Sequence, residues 1–335
     1  MNGESSVEPV TVVAHVCRQG RRACQEDAAA YLVHRDWVFL VVADGLGGLS
    51  NGGYAARKTC EVFLQAVARA LPRGGDPAKT LQDAAFLVNG LLLAEKRSRQ
   101  WPDLGTTVAL ALYRSRKLTV GHAGDSRVYL VAADDVQLLS RDHSPAQELL
   151  EQGLASSLSQ ARRLVGTGVT SCLGDEQFAG LEFREVPLGP HQGFLLVLTT
   201  DGAHEFLEPA DFLHQATGSP SVAALADRLA VLAWQRGSED NITVLAAELG
   251  AFPRSAVPAA PVSQGEVPRF LKVAPLLKRW VVAFVLGLLM GGLASWVFQK
   301  WRLCDRQKPR NPSEMATPPA QSLILPPPIS WYENR

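Results

Sequence analysis

The chain has no excess of charge of either sign. Its 33 basic residues face 33 acidic ones, so the basic footprint that a nucleic-acid partner requires is missing. Cysteine is scarce: Cys17, Cys24, Cys60, Cys172 and Cys304 are widely spaced, form no CxxC pair and have no histidine at zinc-ligand spacing. They read as reduced thiols. The first ten residues also lack the basic start and apolar run of a secretory leader, and the domain they open is expected to stay in the cytoplasm. What is plentiful is apolar side chain, 47% of 335 residues, enough for a substantial core.

From 10 to 249, short β-branched runs alternate with segments of helical period, an α/β or α+β pattern. Strands are expected over 11–16, 37–43, 107–113, 118–123, 128–132, 194–200 and 242–248, and helices over 53–70, 77–97, 146–151 and 221–235. The reading divides the chain into a domain over 1–250, a Pro/Ala-rich linker over 251–279, one membrane-spanning helix over 280–299 and a basic, Pro-rich tail over 300–335. Trp280, Trp296 and Trp301 stand where an interfacial aromatic belt would be. The expected location is therefore the inner (plasma) membrane, single-pass, with the large domain cytoplasmic; the basic tail pulls the other way under the positive-inside rule. Gly287 and Gly291 form a GxxxG pair, which fits either a weak helix dimer or the ordinary glycine content of membrane helices.

Five acidic positions stand at expected strand ends or between strands: Glu26 and, beside Gly, Asn or Ser, Asp44, Asp125, Asp201 and Asp240. Each follows or precedes an apolar strand that is buried, so its carboxylate is fixed at the rim of the core. Several such rims brought together repel one another unless a divalent cation neutralises them. Oxygen ligands of this kind suit Mg²⁺ or Mn²⁺ and suit zinc poorly. Gly45, after Asp44, allows close backbone approach, so that its carbonyl can also serve as a ligand.

Read in order, Arg22-x-x-Gln-Glu26-Asp27, Val-Ala-Asp44-Gly-Leu-Gly-Gly, Leu104-Gly-Thr-Thr107, Gly124-Asp-Ser-Arg-Val-Tyr129, Arg141-Asp-His-Ser144, Leu198-Thr-Thr-Asp201-Gly and Asp240-Asn-Ile-Thr-Val244 resemble the PPM family, the metal-dependent protein phosphatases of type 2C, in its bacterial branch. The resemblance implies a four-layer αββα sandwich of two antiparallel sheets flanked by helices. It also implies a serine/threonine phosphatase that works through water activated by two cations, Mn²⁺ or Mg²⁺, without a phosphoenzyme. Carried over by position, Asp44 bridges both cations, Asp201 and Asp240 hold the first, and Glu26 and the Gly45 carbonyl hold the second. Asp125 matches a third, weaker position, Arg22 the arginine that grips substrate phosphate, and Asp27 an acid that positions water. The implied partners are phosphorylated proteins, among them a Ser/Thr kinase and its targets.

Three positions depart from the family pattern. Gln25 replaces the usual Asn, Leu46 stands where animal members have a histidine proposed as general acid, and Val169-Thr-Ser-Cys-Leu-Gly174 lacks a basic residue at Ser171. Leucine donates no proton, so protonation of the leaving oxygen falls to another group. The segment 144–169 matches a substrate-gating flap. His122 and His143 are expected to be packing residues. Two other readings differ in kind: a tethered pseudophosphatase that binds phosphoproteins without cleaving them, and a narrow stress-regulator phosphatase. Retention of four mutually repelling carboxylates argues against the first.

Overall fold

Strand direction decides where the acidic residues meet. The structure, a computed structural model, describes residues 10–47, 51–189 and 193–254, all within one compact unit spanning 1–265. One sheet has the order β1-β11-β10-β7-β8, from β1 (Val10–Arg18), β7 (Arg127–Val131), β8 (Val136–Leu138), β10 (Phe194–Thr199) and β11 (Ile242–Leu249). The other has the order β2-β3-β5-β6-β9, from β2 (Asp27–His34), β3 (Trp37–Leu46), β5 (Val108–Arg114), β6 (Lys117–Ala123) and β9 (Glu182–Pro187), with the short β4 (Gly105–Thr106) paired to the end of β3. Every neighbouring pair is antiparallel.

Period-two alternation splits each central strand between two cores. In β3, Phe39, Val41 and Ala43 pack under α1 (Asn51–Ala70) and α2 (Pro77–Arg99). Val38, Leu40 and Val42 face the second sheet. In β11, Ile242, Val244 and Ala246 pack under α6 (Pro209–Gly218) and α7 (Val222–Gln235), while Leu245, Ala247 and Leu249 face inward. Two helix–sheet cores and one sheet–sheet core make four layers, the architecture expected from the sequence. Each fully buried Leu, Phe or Val in them contributes roughly 1.5–3 kcal/mol.

The structure adds elements the sequence reading omits: β2, β8, β9, α6 and the one-turn α5 (Asp201–His204). β2 reads Asp-Ala-Ala-Ala-Tyr-Leu-Val-His, with too few β-branched residues to stand out. β9 is an edge strand with mostly exposed side chains, Glu-Phe-Arg-Glu-Val-Pro. The 144–169 segment contains two short helices, α3 (Pro145–Glu151) and α4 (Leu158–Val165), started by the side chains of Ser144 and Ser157. The expected linker beyond 254, the span 280–299, its GxxxG pair and the tail lie outside the described residues. Among the described residues no helix is long and apolar enough to cross a membrane.

Candidate active site

Antiparallel pairing brings the start of β2 beside the end of β3, with Asp27 directly opposite Asp44. In the other sheet it brings the end of β10 beside the starts of β7 and β11. Glu26 and Asp27 stand at the start of β2, Asp44 near the end of β3, Asp125 between β6 and β7, Asp201 after β10 and Asp240 before β11. All six acids therefore collect at one end of the sandwich, supplied by both sheets.

Backbone bonds lock that end. Asp44 donates its N–H to Thr107 Oγ1 at 3.2 Å, and its carbonyl accepts from Thr107 N–H at 2.8 Å and Thr106 Oγ1 at 2.8 Å. Thr107 Oγ1 also lies 2.8 Å from Ser126 Oγ, which ties the Asp44 strand to the Asp125 turn. Gly124, at φ +100, fits there because a Cβ would sit 2.6 Å from the Thr107 side chain. Across the sheets, Asn241 accepts from Glu26 N–H at 2.7 Å and donates to the carbonyls of Gln19 at 2.7 Å and Cys24 at 3.0 Å. One amide side chain thus fixes the loop carrying Arg22 and Glu26 against the acid at 240.

The carboxyls raise one another's pKa. Asp44 is held well above the ordinary carboxylate range, first by burial and then by Asp201, Asp27, Asp125 and Asp240. Asp27, which accepts from Thr200 Oγ1 at 2.8 Å, is pushed up to about 7 by burial, with Asp201 and Asp240 adding to the rise. Asp125 also rises to about 7, through burial, Asp201 and Asp142. Asp201 is raised by burial and Asp240, offset in part by hydrogen bonding to the Asp44 side chain and the Gly202 backbone. This is what an oxygen-rich cluster does when protons substitute for cations.

Two observations fit the residues to hard cations. Glu26 Oε1 is buried and has no hydrogen-bond partner, a state that buried carboxylates rarely keep without an ion or water. The Gly45 carbonyl is its close neighbour: a Cβ placed on Gly52 would lie 2.6 Å from the Gly45 oxygen and 2.9 Å from Glu26 Oε1. The contact of Gly45 with Gly52 seats the first turn of α1 on the end of β3 and leaves both oxygens without side-chain cover. Arg22 is half-exposed, bonds Asp240 Oδ2 at 2.5 Å, and lines a cavity of about 540 Å³ with Asp201, Glu205, Phe206, Glu239 and Asp240.

The sequence-derived residues Arg22, Glu26, Asp27, Asp44, Gly45, Asp125, Asp201 and Asp240 are thus gathered at one end of the fold. Asn241, Thr107 and Thr200, quoted in the motifs without a role, are the supports that sequence reasoning missed. Thr200 and Asn241 are signalled only by standing next to Asp201 and Asp240, and Thr107 only by its place in a quoted motif. Of the departures, Gln25 keeps a local bond, its Oε1 accepting from Asp27 N–H at 3.0 Å. Ser171 lies on the return from α4, between Thr170, whose N–H bonds the His143 carbonyl at 2.8 Å, and Leu173, bonded both ways to Thr106 at 2.9 and 3.0 Å. His122, buried and in contact with the Arg141 backbone as a packing residue would be, lies with His143 and Glu182 outside the carboxylate centre, with one nitrogen or oxygen atom of each within 4.8 Å of the others.

Comparison with known proteins agrees with this geometry. The serine/threonine protein phosphatase PstP of Mycobacterium tuberculosis is 31% identical over 255 residues, 71% of this chain and 45% of that protein. The chain spans less than half the length of that relative. Among solved structures, a Streptococcal one, the S. agalactiae serine/threonine phosphatase, superposes with TM-score 0.66 at 23% identity, over 72% of this chain and 99% of that one. The catalytic domain of PstP in complex with two manganese ions superposes with TM-score 0.59 at 24% identity, over 71% and 99%. The family profile of protein phosphatase 2C matches residues 17–246, a span that holds every acid at the shared end and all of both sheets except most of β1 and the end of β11, and the chain belongs to that family.

Proposed function

We propose that the chain is a metal-dependent protein serine/threonine phosphatase that hydrolyses phosphoserine and phosphothreonine without a phosphoenzyme. The observation that carries this reading is the convergence of carboxyls from both sheets, raised in pKa by one another and set beside a half-exposed arginine. Glu26, Asp44, the Gly45 carbonyl, Asp201 and Asp240 would hold two divalent cations, Mn²⁺ or Mg²⁺, with Asp125 at a third position. When bound, such a pair lowers the pKa of water and neutralises charge on the phosphoryl oxygens. Arg22 orients the phosphate through paired N–H donors, leaving Asp240 to do so. Asp27, fastened by Thr200, positions the attacking water. Leu46, on β3, gives no proton, so the leaving oxygen is protonated from solvent or from a group on the substrate side of the cavity.

The partners in this reading are phosphorylated proteins, a Ser/Thr kinase and its targets, and the sequence of 280–299 supports a tether in the inner membrane with the phosphatase domain in the cytoplasm. Tethering would raise the effective concentration toward membrane-bound substrates. Hydrolysis of p-nitrophenyl phosphate and of a phosphothreonine peptide by the full chain tests the activity. Turnover that requires Mn²⁺ or Mg²⁺ and disappears in Asp44→Ala is expected. Absence of turnover at saturating Mn²⁺, with Asp44→Ala indistinguishable, would leave a phosphoprotein-binding module instead.

A further inference from the structure

The second cluster of metal-ligating side chains has a different chemistry from the first. His122, on β6, is 2% exposed and stands directly across the sheet from Glu182 on β9. Its Nε2 lies 2.7 Å from the Arg141 carbonyl and 3.1 Å from the Arg141 N–H. Donation to the carbonyl, the shorter contact, puts the ring proton on Nε2 and leaves the lone pair on Nδ1, a buried atom without a hydrogen-bond partner. His143 stacks obliquely on the same ring, centroids 4.7 Å apart at 31°, and its Nε2 lies 3.0 Å from Glu182 Oε2. One ring nitrogen of each histidine and one Glu182 oxygen fall within 4.8 Å of one another.

Two imidazoles and a carboxylate form a mixed nitrogen–oxygen set, which a borderline ion such as zinc prefers and Mg²⁺ does not. The Nε2–H bond to a backbone carbonyl is the support that usually fixes a ligating histidine's tautomer. Leaving a buried acceptor unpaired is unfavourable, and a cation at Nδ1 would satisfy it. We infer that His122, His143 and Glu182 bind one Zn²⁺-class cation, separate from the carboxylate centre.

Position gives the cation a role. His143 immediately precedes Ser144, the residue that starts α3, and its carbonyl accepts from Thr170 N–H at 2.8 Å. Both ends of the α3–α4 excursion therefore meet at His143. A cation there fastens the base of the excursion to β6 and β9. Ligation through His143 Nε2 moves that ring's proton to Nδ1 and gives up the long 3.3 Å bond from Gly124 N–H, next to Asp125. The bound ion thereby acts on both the flap and the acid beside it.

The test titrates Zn²⁺ into the full chain at saturating Mg²⁺, which occupies oxygen sites, with Co²⁺ as the spectroscopic probe. One Zn²⁺ equivalent is expected, bound at least about tenfold more weakly by His143→Ala and by Glu182→Gln. Glu182, with its side chain 48% exposed against 12% for His143, is the variant least able to disturb folding and decides the test where His143→Ala does not fold. Amide exchange over 144–170 is expected to slow on Zn²⁺ addition in the parent chain alone. Equal Zn²⁺ affinity in parent and variants, or a Co²⁺ spectrum unchanged by either substitution, overturns the site. Unchanged exchange overturns its coupling to the flap. Binding is read without turnover, so a failure of the phosphatase reading would leave this result intact.

Discussion

The carboxylate end of the sandwich and the α3–α4 excursion differ in how they are held. At the carboxylate end, every acid stands at or beside a strand terminus, Asp44, Asp125, Asp201 and Asp240 on strands paired on both sides and Glu26 and Asp27 on the edge strand β2, and Asn241 and Thr107 close the gaps between elements. The excursion rests on few buried residues, Ala146, Ala155 and Ala161, and on polar ties: Arg162 to Glu205 at 2.8 Å and, at 3.8 Å, to Asp142, which Arg127 already grips twice. Leu154 and Leu164 on it are 62% and 63% exposed. In the proposed reading, chemistry sits on the rigid part and choice of substrate on the loosely held one, a division that would let specificity change without disturbing bond cleavage.

The largest test of that division removes the central acid. Asp44→Ala is expected to lower kcat by roughly three orders of magnitude or more, since several kcal/mol of charge stabilisation go with it; a loss under tenfold would mean that the centre does not depend on this position. Next comes a support with no proposed contact to substrate. Asn241→Ala breaks three bonds at once and is expected to cost about 10²-fold in kcat/KM through misplacement of Arg22 and Glu26. Full activity in that variant would show that the loop is held by other means.

Metal removal gives a third test, with a definite sign. Without metal, burial first and the neighbouring carboxyls second push Asp27 and Asp125 up to about 7 from the ordinary carboxylate value of 3.8. The folded state thus binds more protons than the unfolded one between those values. Their contribution to stability is fully present below the unfolded value and is lost as pH rises through the folded one. Melting in chelator should therefore occur at a lower temperature at about pH 8 than at about pH 5.5, and Mg²⁺ should recover more at the higher pH. Asp27→Asn should flatten the profile, and a metal-free Tm that does not fall with pH would contradict the coupling. The smallest effect belongs to the excursion. Leu154→Ser with Leu164→Ser should change KM for a phosphoprotein by about fivefold, about 1 kcal/mol, with p-nitrophenyl phosphate hydrolysis unchanged and stability within about 0.5 kcal/mol. A parallel loss on both substrates would place the excursion inside the catalytic machinery.

Much of this centre is legible in the sequence because strands buried on both faces read as unbroken apolar runs, and an acid that ends such a run is conspicuous. Phe39 to Ala43 followed by Asp44, and Phe194 to Leu198 followed at Asp201, are cases of this. β2 escapes because three alanines dilute its signal, and β9 because an edge strand carries polar residues on both faces. The role of Asn241 depends on partners more than 200 positions away. The histidine–glutamate cluster joins residues 122, 143 and 182, a spacing that no local pattern records and that only the β6–β9 register and the turn after Arg141 create.

The place of β11 has a consequence for how the protein is made. This last strand of the domain lies between β1 and β10, and the acid and amide that complete the centre, Asp240 and Asn241, immediately precede it. A nascent chain emerging from the ribosome can pair β2 with β3 early, from neighbouring sequence, but it cannot order the Arg22 loop until β11 has inserted beside a strand made more than 200 residues before. Chains cut short by interrupted translation or by proteolysis ahead of β11 would therefore be inert toward phosphoproteins, and activity would appear only with the finished domain.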